Sequence, residues 1–164
     1  MKVTIICLLC FVFAPLLAAQ GDAPSSFAPT RGQGYTYFAV SKAGDDIGDA
    51  MNFGTGGEGF LTKGLAAGGD VGYMFTSGRF GNGIGLASAN LSYHFREMDP
   101  DGHWVPFVTG GYTLAFRGAA AGLVNYGGGV TYWFRPHLGV RAEFRNHQSG
   151  GFSMPSFRFG FSFR

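Results

Sequence analysis

Pro155-Ser156-Phe157-Arg158-Phe159-Gly160-Phe161-Ser162-Phe163-Arg164 closes the chain. Phenylalanine occupies every second position, 157, 159, 161 and 163, with Arg158, Gly160, Ser162 and Arg164 between and after. Successive side chains of a strand point to opposite faces, so this stretch is a strand with one aromatic face and one polar face. A soluble sheet could bury such a face in its core. Here the oily face carries only large rings, which suits hydrocarbon: Phe faces lipid and Arg158 faces inward.

Working back from that strand, the same alternation recurs. Over 138–146, Leu138, Val140, Ala142 and Phe144 alternate with Arg141, Glu143 and Arg145. Over 122–134, Val124, Tyr126, Val130, Tyr132 and Phe134 alternate with Asn125, Gly127, Gly129, Thr131 and Trp133. Further strands are expected at 104–116, 86–96, 65–76, 50–60 and 35–42. The first has a weak pattern, since Tyr35, Phe38 and Val40 do not share one parity. The stretches 117–121 and 147–154 read as loops. Eight strands of about ten residues are each long enough to cross hydrocarbon at a tilt. The expected fold is all-β, an eight-stranded antiparallel up-and-down transmembrane β-barrel. A soluble lipocalin-like barrel would invert the faces and place Arg and Glu in a pocket that should be apolar.

Composition agrees. The chain is 46% hydrophobic and only 13% charged, with 29 Gly and 18 Phe among 164 residues. A soluble domain carries about a quarter charged residues. A formal net charge of +2 gives no basis for binding nucleic acid.

Residues 1–19 read as a cleaved signal peptide: Lys2, an apolar run, and Ala18-Ala19 at the cut. Residues 20–33 read as a flexible lead-in, and 34–164 as the barrel. Both cysteines, Cys7 and Cys10, lie in the leader, so the mature chain has no disulfide or thiol chemistry. Asp45, Asp46 and Asp49 are loosely spaced like a calcium loop, but the terminal Glu is missing and a solvated loop is the better reading.

The leader, the eight alternating segments and the aromatic last strand resemble the small OmpA/OmpX-type outer-membrane β-barrels. Phe107-Val108-Thr109-Gly110-Gly111-Tyr112, Gly127 to Phe134 and Gly139 to Arg145 resemble the outer membrane protein β-barrel domain family. The resemblance implies residence in the cell outer membrane, with lipid and lipopolysaccharide as partners. It also implies assembly by the outer-membrane insertion machinery, which reads a last strand ending in an aromatic. Phe157, Phe159, Phe161 and Phe163 would be that signal, although the final residue is Arg164. A monomer is expected.

Alternation also assigns the interior. Glu58, Asp70, His94, Arg96, Arg141, Glu143, Arg145 and Arg158 are expected to line the lumen. An eight-stranded barrel is just wide enough for side chains to fill it. Arg forks on Glu58, Asp70 and Glu143 would then form a polar plug. The alternative is a narrow, anion-preferring, porin-like channel. Outward aromatics should form girdles at the headgroups. Tyr93, Phe95, Trp104, Tyr132 and Phe134 would lie near one rim, and Tyr73, Phe75, Phe116, Tyr126 and Phe144 near the other.

No catalytic set is expected. One weaker alternative is an enzyme: His147-Gln148-Ser149 resembles the His-x-Ser motif of outer-membrane lipid A 3-O-deacylases. That resemblance implies His147 as base and Ser149 as nucleophile, but no Asp or Glu follows Ser149 to orient the base. His94, His103, His137 and His147 are scattered and lack the spacing of metal ligands, so neither a metal nor a cofactor is expected.

Overall fold

The computed structural model describes residues 31–42, 49–76, 79–95 and 102–164. The expected leader, residues 20–30 of the expected lead-in, Asp45, Asp46 and Arg96 lie outside them.

Eight strands follow one another: β1 Gly32–Lys42, β2 Asp49–Phe60, β3 Leu65–Thr76, β4 Ile84–His94, β5 Trp104–Arg117, β6 Ala119–Arg135, β7 Leu138–Ser149 and β8 Phe152–Phe163. Each pairs antiparallel with the next, and β8 returns to β1 from Gly34↔Phe163 to Ser41↔Ser156. The sheet is a closed barrel in sequence order. Closure matters because it leaves no strand edge to be satisfied by water. One short 3-10 turn, Phe80–Asn82, interrupts the β3–β4 connection.

Three sequence-based boundaries are corrected. Residues 117–121 are not a loop: β5 runs to Arg117, β6 starts at Ala119, and Gly118 alone turns the corner at φ 75°. Ala119, Ala120 and Ala121 give no alternation signal, yet their backbones pair with β5. Residues 147–154 are likewise mostly strand. Gly150 (φ 51°) and Gly151 (φ 95°) form a two-residue hairpin turn, where positive φ at both positions suits the strand twist. A run of polar residues, buried His147 and exposed Gln148 and Ser149, gives this strand end the composition of a loop. Finally, Gly32 and Gln33 belong to β1 rather than to a lead-in.

The first strand's mixed parity also has an explanation. Gln33, Tyr35, Tyr37, Ala39 and Ser41 are buried inside, and Phe38 and Val40 are exposed outside. The tyrosines count as apolar in a pattern but act here through their hydroxyls. Across the molecule the outer face is oily: Leu91, Val108, Tyr112, Leu114, Val124, Phe157, Phe159 and Phe161 are all exposed. The core is the lumen, and it is mostly polar.

Glycines make that core fit. Large inward side chains stand opposite them in register: Tyr35↔Gly56, Tyr37↔Gly160, Phe107↔Gly129 and Arg145↔Gly127. A Cβ on Gly129 would come within 2.8 Å of Glu143 Cα and 2.9 Å of the Phe107 ring. Any larger residue there would displace a lumen side chain.

Candidate functional site: the charged lumen

The interior is a continuous ion-pair network. At its centre, Glu143 on β7 accepts from Arg141 Nε at 3.1 Å and from Arg145 Nε at 2.5 Å. Arg141, Glu143 and Arg145 alternate along one strand, so all three project inward without any loop to place them. Arg141 reaches across to Glu58 Oε1 at 3.1 Å. Glu58 also accepts from Gln33 Nε2 at 2.6 Å and meets His94 Nε2 at 3.1 Å.

The second node is Asp70 on β3. It accepts from Arg145 at 2.8 Å, Asn90 Nδ2 at 3.0 Å, Tyr37 at 3.2 Å, and Tyr35 and Arg158 at 3.4 Å each. The guanidiniums are also stacked on rings. Arg141 lies 3.8 Å from the Phe107 centroid and 4.5 Å from that of Tyr35, and Arg158 lies 4.4 Å from Tyr37. A weakly hydrated, planar cation suits this mixture of carboxylates and π-faces. Three described acids, Glu58, Asp70 and Glu143, face three arginines, so the formal charges cancel. Buried charges that are paired and hydrogen-bonded in this way escape most of the cost of desolvation.

Of the expected lumen residues, Glu58, Asp70, His94, Arg141, Glu143, Arg145 and Arg158 are all buried and all belong to the network. Arg96 lies outside the described residues. Alternation alone did not single out Gln33, Tyr35, Tyr37 or Phe107, whereas Asn90 shares the face of His94. Gln33, Tyr35 and Tyr37 share one parity, and that signal was readable once tyrosine is treated as amphipathic. At the lower mouth Arg164 sits over the Trp133 ring at 4.2 Å and donates to Pro136 O at 2.8 Å. The chain's last residue is thereby drawn inward.

The expected girdle residues Tyr73, Phe75, Tyr93, Phe95, Trp104, Phe116, Tyr126, Tyr132, Phe134 and Phe144 are all exposed or half-buried, and all but Phe95, just past β4, stand on the outward parity of a strand. Trp104 packs on Tyr132 at 4.5 Å and Tyr93 on Phe95 at 5.0 Å. At the opposite rim Phe80 packs on Phe75 at 4.9 Å, and Tyr73 donates to Phe80 O at 2.6 Å. Phe144 and Phe157 meet at 5.2 Å closer to the middle of their strands. Phe163 differs from its three companions: it is half-buried, and its ring covers Gly34.

His147 and Ser149 are not brought together. His147 is buried and neither ring nitrogen has a hydrogen-bond partner, whereas Ser149 is exposed at the end of β7. His103 Nδ1 pairs with Trp133 O at 2.8 Å and His137 Nδ1 with Arg164 O at 3.0 Å.

Solved structures with the same architecture fix its class. The N-terminal β-barrel domain of Pseudomonas aeruginosa OprF matches with a TM-score of 0.58 at 17% identity, covering 82% of this chain and 98% of that one. The fold is that of the OmpA/OmpX-type outer-membrane barrels. Neisserial surface protein A shares this barrel with a TM-score of 0.64 at 14% identity, over 82% of this chain and 97% of its own. Ail of Yersinia pestis, solved with the heparin analogue sucrose octasulfate, shares it at 0.57 and 10% identity, over 82% and 99%. No family model matches the sequence, and no curated protein does. Similarity to the OmpA/OmpX-type barrel therefore lies in architecture, strand number and connectivity.

Proposed function

We propose that this chain is a non-catalytic outer-membrane barrel whose lumen is a closed, charge-paired plug, serving envelope structure or surface interaction. The observation that carries the reading is Arg141. Its guanidinium is held between Glu58 and Glu143 and stacked on Phe107 and Tyr35, across the middle of an eight-stranded lumen. An ion crossing that layer would have to separate paired charges in a confined space. The outer face supports a lipid environment, because its exposed side chains are aromatic and aliphatic while the ionic groups lie within. Lipid and lipopolysaccharide are the surroundings this surface fits. The exposed alternating rings Phe157, Phe159 and Phe161 fit recognition by an insertion machinery.

The test is electrical. Protein reconstituted in planar bilayers should leave the membrane at its baseline conductance. Steady anion-selective channels that vanish in Arg141→Met would replace the plug by a pore. The enzyme reading has its own check: lipid A from cells expressing the protein should keep its full set of acyl chains. A Ser149-dependent loss of one chain would reinstate it.

A further inference from the structure

One guanidinium in the lumen is only half engaged. Arg158 is 2% exposed, and its Nη1 donates to Asp70 Oδ1 over a long 3.4 Å. The Tyr37 ring covers its face, 4.4 Å away. Its Nε and Nη2 have no hydrogen-bond partner among the described residues. Those two nitrogens lie on the same edge of the plane, where Nε–H and one N–H of Nη2 run parallel as a fork. A buried, charged edge of this kind is costly to leave unmet, so it calls for an acceptor.

A second buried group shares the need. His147 is 1% exposed, and neither ring nitrogen has a partner among the described residues. On β8 the inward residues run Met154, Ser156, Arg158, and their β7 partners are His147, Arg145 and Glu143. Arg145 and Arg158 bring their heads to the same carboxylate, Asp70. Their charges act through space on the His147 ring, Arg158 the more strongly, and both outweigh Asp70 and Glu143 there. The field at the ring is therefore positive.

The occupant's chemistry follows. No described carboxylate is left over for this edge, because Glu58, Asp70 and Glu143 are already shared among the other donors. What the space between Arg158 and His147 offers is the fork and an imidazole N–H, all donors. Asn125 and Met154, which flank His147 in register, present an unmet amide oxygen and a thioether. They repel an anion, so it lies on the Arg158 side of the ring. An eight-stranded lumen is just wide enough for side chains, so the guest is small. One inward step further along β7, Ser149 is exposed beside the turn, so His147 stands just inside the mouth and entry is short.

We propose that Arg158 and His147 bind one small monovalent anion of the halide class, with chloride as the type. Nε–H and Nη2–H of Arg158 and one imidazole N–H of His147 are the donors. The site goes beyond the plug reading and needs no pore. Farther from this mouth Arg141 stays locked between Glu58 and Glu143, so the ion enters and leaves by the same end.

The experiment uses the barrel folded in detergent micelles in halide-free gluconate buffer, with heat-shifted electrophoretic mobility as the check on folding. The NMR line width of added chloride should rise above that of empty micelles and saturate, and bromide should compete. Arg158→Lys keeps a cation for Asp70 but deletes the fork, and His147→Leu deletes the third donor. Each variant, still folded, should bind chloride about tenfold more weakly or worse. Crystals of the parent grown in bromide should show one anomalous peak between Arg158 and His147. The proposal fails if the parent gives no saturable broadening, if bromide-grown crystals hold only water there, or if both folded variants bind as the parent does.

Discussion

Asp70 shows how a single residue organises this interior. Five donors from four other strands converge on it: Tyr35 and Tyr37 from β1, Asn90 from β4, Arg145 from β7 and Arg158 from β8. Removing one partner of a buried ion pair strands the other charge, which costs about 3–5 kcal/mol. Asp70→Ala strands Arg158, leaves Arg145 with Glu143 alone, and unpairs Tyr37 and Asn90 as well. Its expected cost is at the upper end of that range, read as a lower denaturant midpoint for unfolding from lipid vesicles. Ser153→Ala removes only a bond at the exposed end of β8 and should cost far less, near the usual 0.5–1.5 kcal/mol. Glycine positions obey a steric rule at the same scale. A Cβ on Gly160 would lie 2.8 Å from Tyr37 Cα, so Gly160→Val should impair pairing of β8 with β1. Loss of the heat-shifted band on refolding would report it, and a normal yield of folded barrel would contradict it.

At the scale of elements the strands are unequal partners. Among the described residues β1 and β8 pair over eight rows, from Gly34↔Phe163 to Ser41↔Ser156, whereas β5 and β6 pair over fourteen. The β1–β8 closure also joins the two ends of the strand order, so it is the contact of greatest sequence separation. Backbone amides in β1 and β8 should therefore exchange with deuterium sooner than those at the centre of the β5–β6 pair, as followed by mass spectrometry of the micelle-bound protein. Uniform protection around the barrel would show that all seams are equally stable. Most of the strands were legible in alternation, and β3 was read to its exact ends. The strand ends were misread where two signals fail. Ala119 to Ala121 carry no contrast between faces, and neither do His147, Gln148 and Ser149, which are polar on both, His147 buried and the other two exposed. Both stretches lie in strands because backbone pairing, not side-chain contrast, holds them there.

For the molecule as a whole, the deciding quantity is which solvent meets which face. Phe159 is 60% exposed at the middle of β8, while its neighbour Arg158 is 2% exposed. If lipid surrounds the barrel, Phe159→Arg should cost about 2–4 kcal/mol in vesicle unfolding, the penalty for a cation near the midplane. A change below about 0.5 kcal/mol would mean water, not hydrocarbon, bathes that face. Extraction should require detergent for the same reason.

Sequence alone determined the number of strands, their alternation and the inward side of Glu58, Asp70, Arg141, Glu143, Arg145 and Arg158. Side-chain parity is a local property, fixed by each strand's own two-residue period. Only the tertiary structure decided who meets whom: that Asp70 joins Arg145 and Arg158, that Tyr35 and Tyr37 turn inward to it, and that His147 is left between Asn125 and Met154. Those contacts depend on register and on closure of β8 against β1, which bring Arg158 against Asp70, 88 positions earlier. No pattern confined to one strand encodes that.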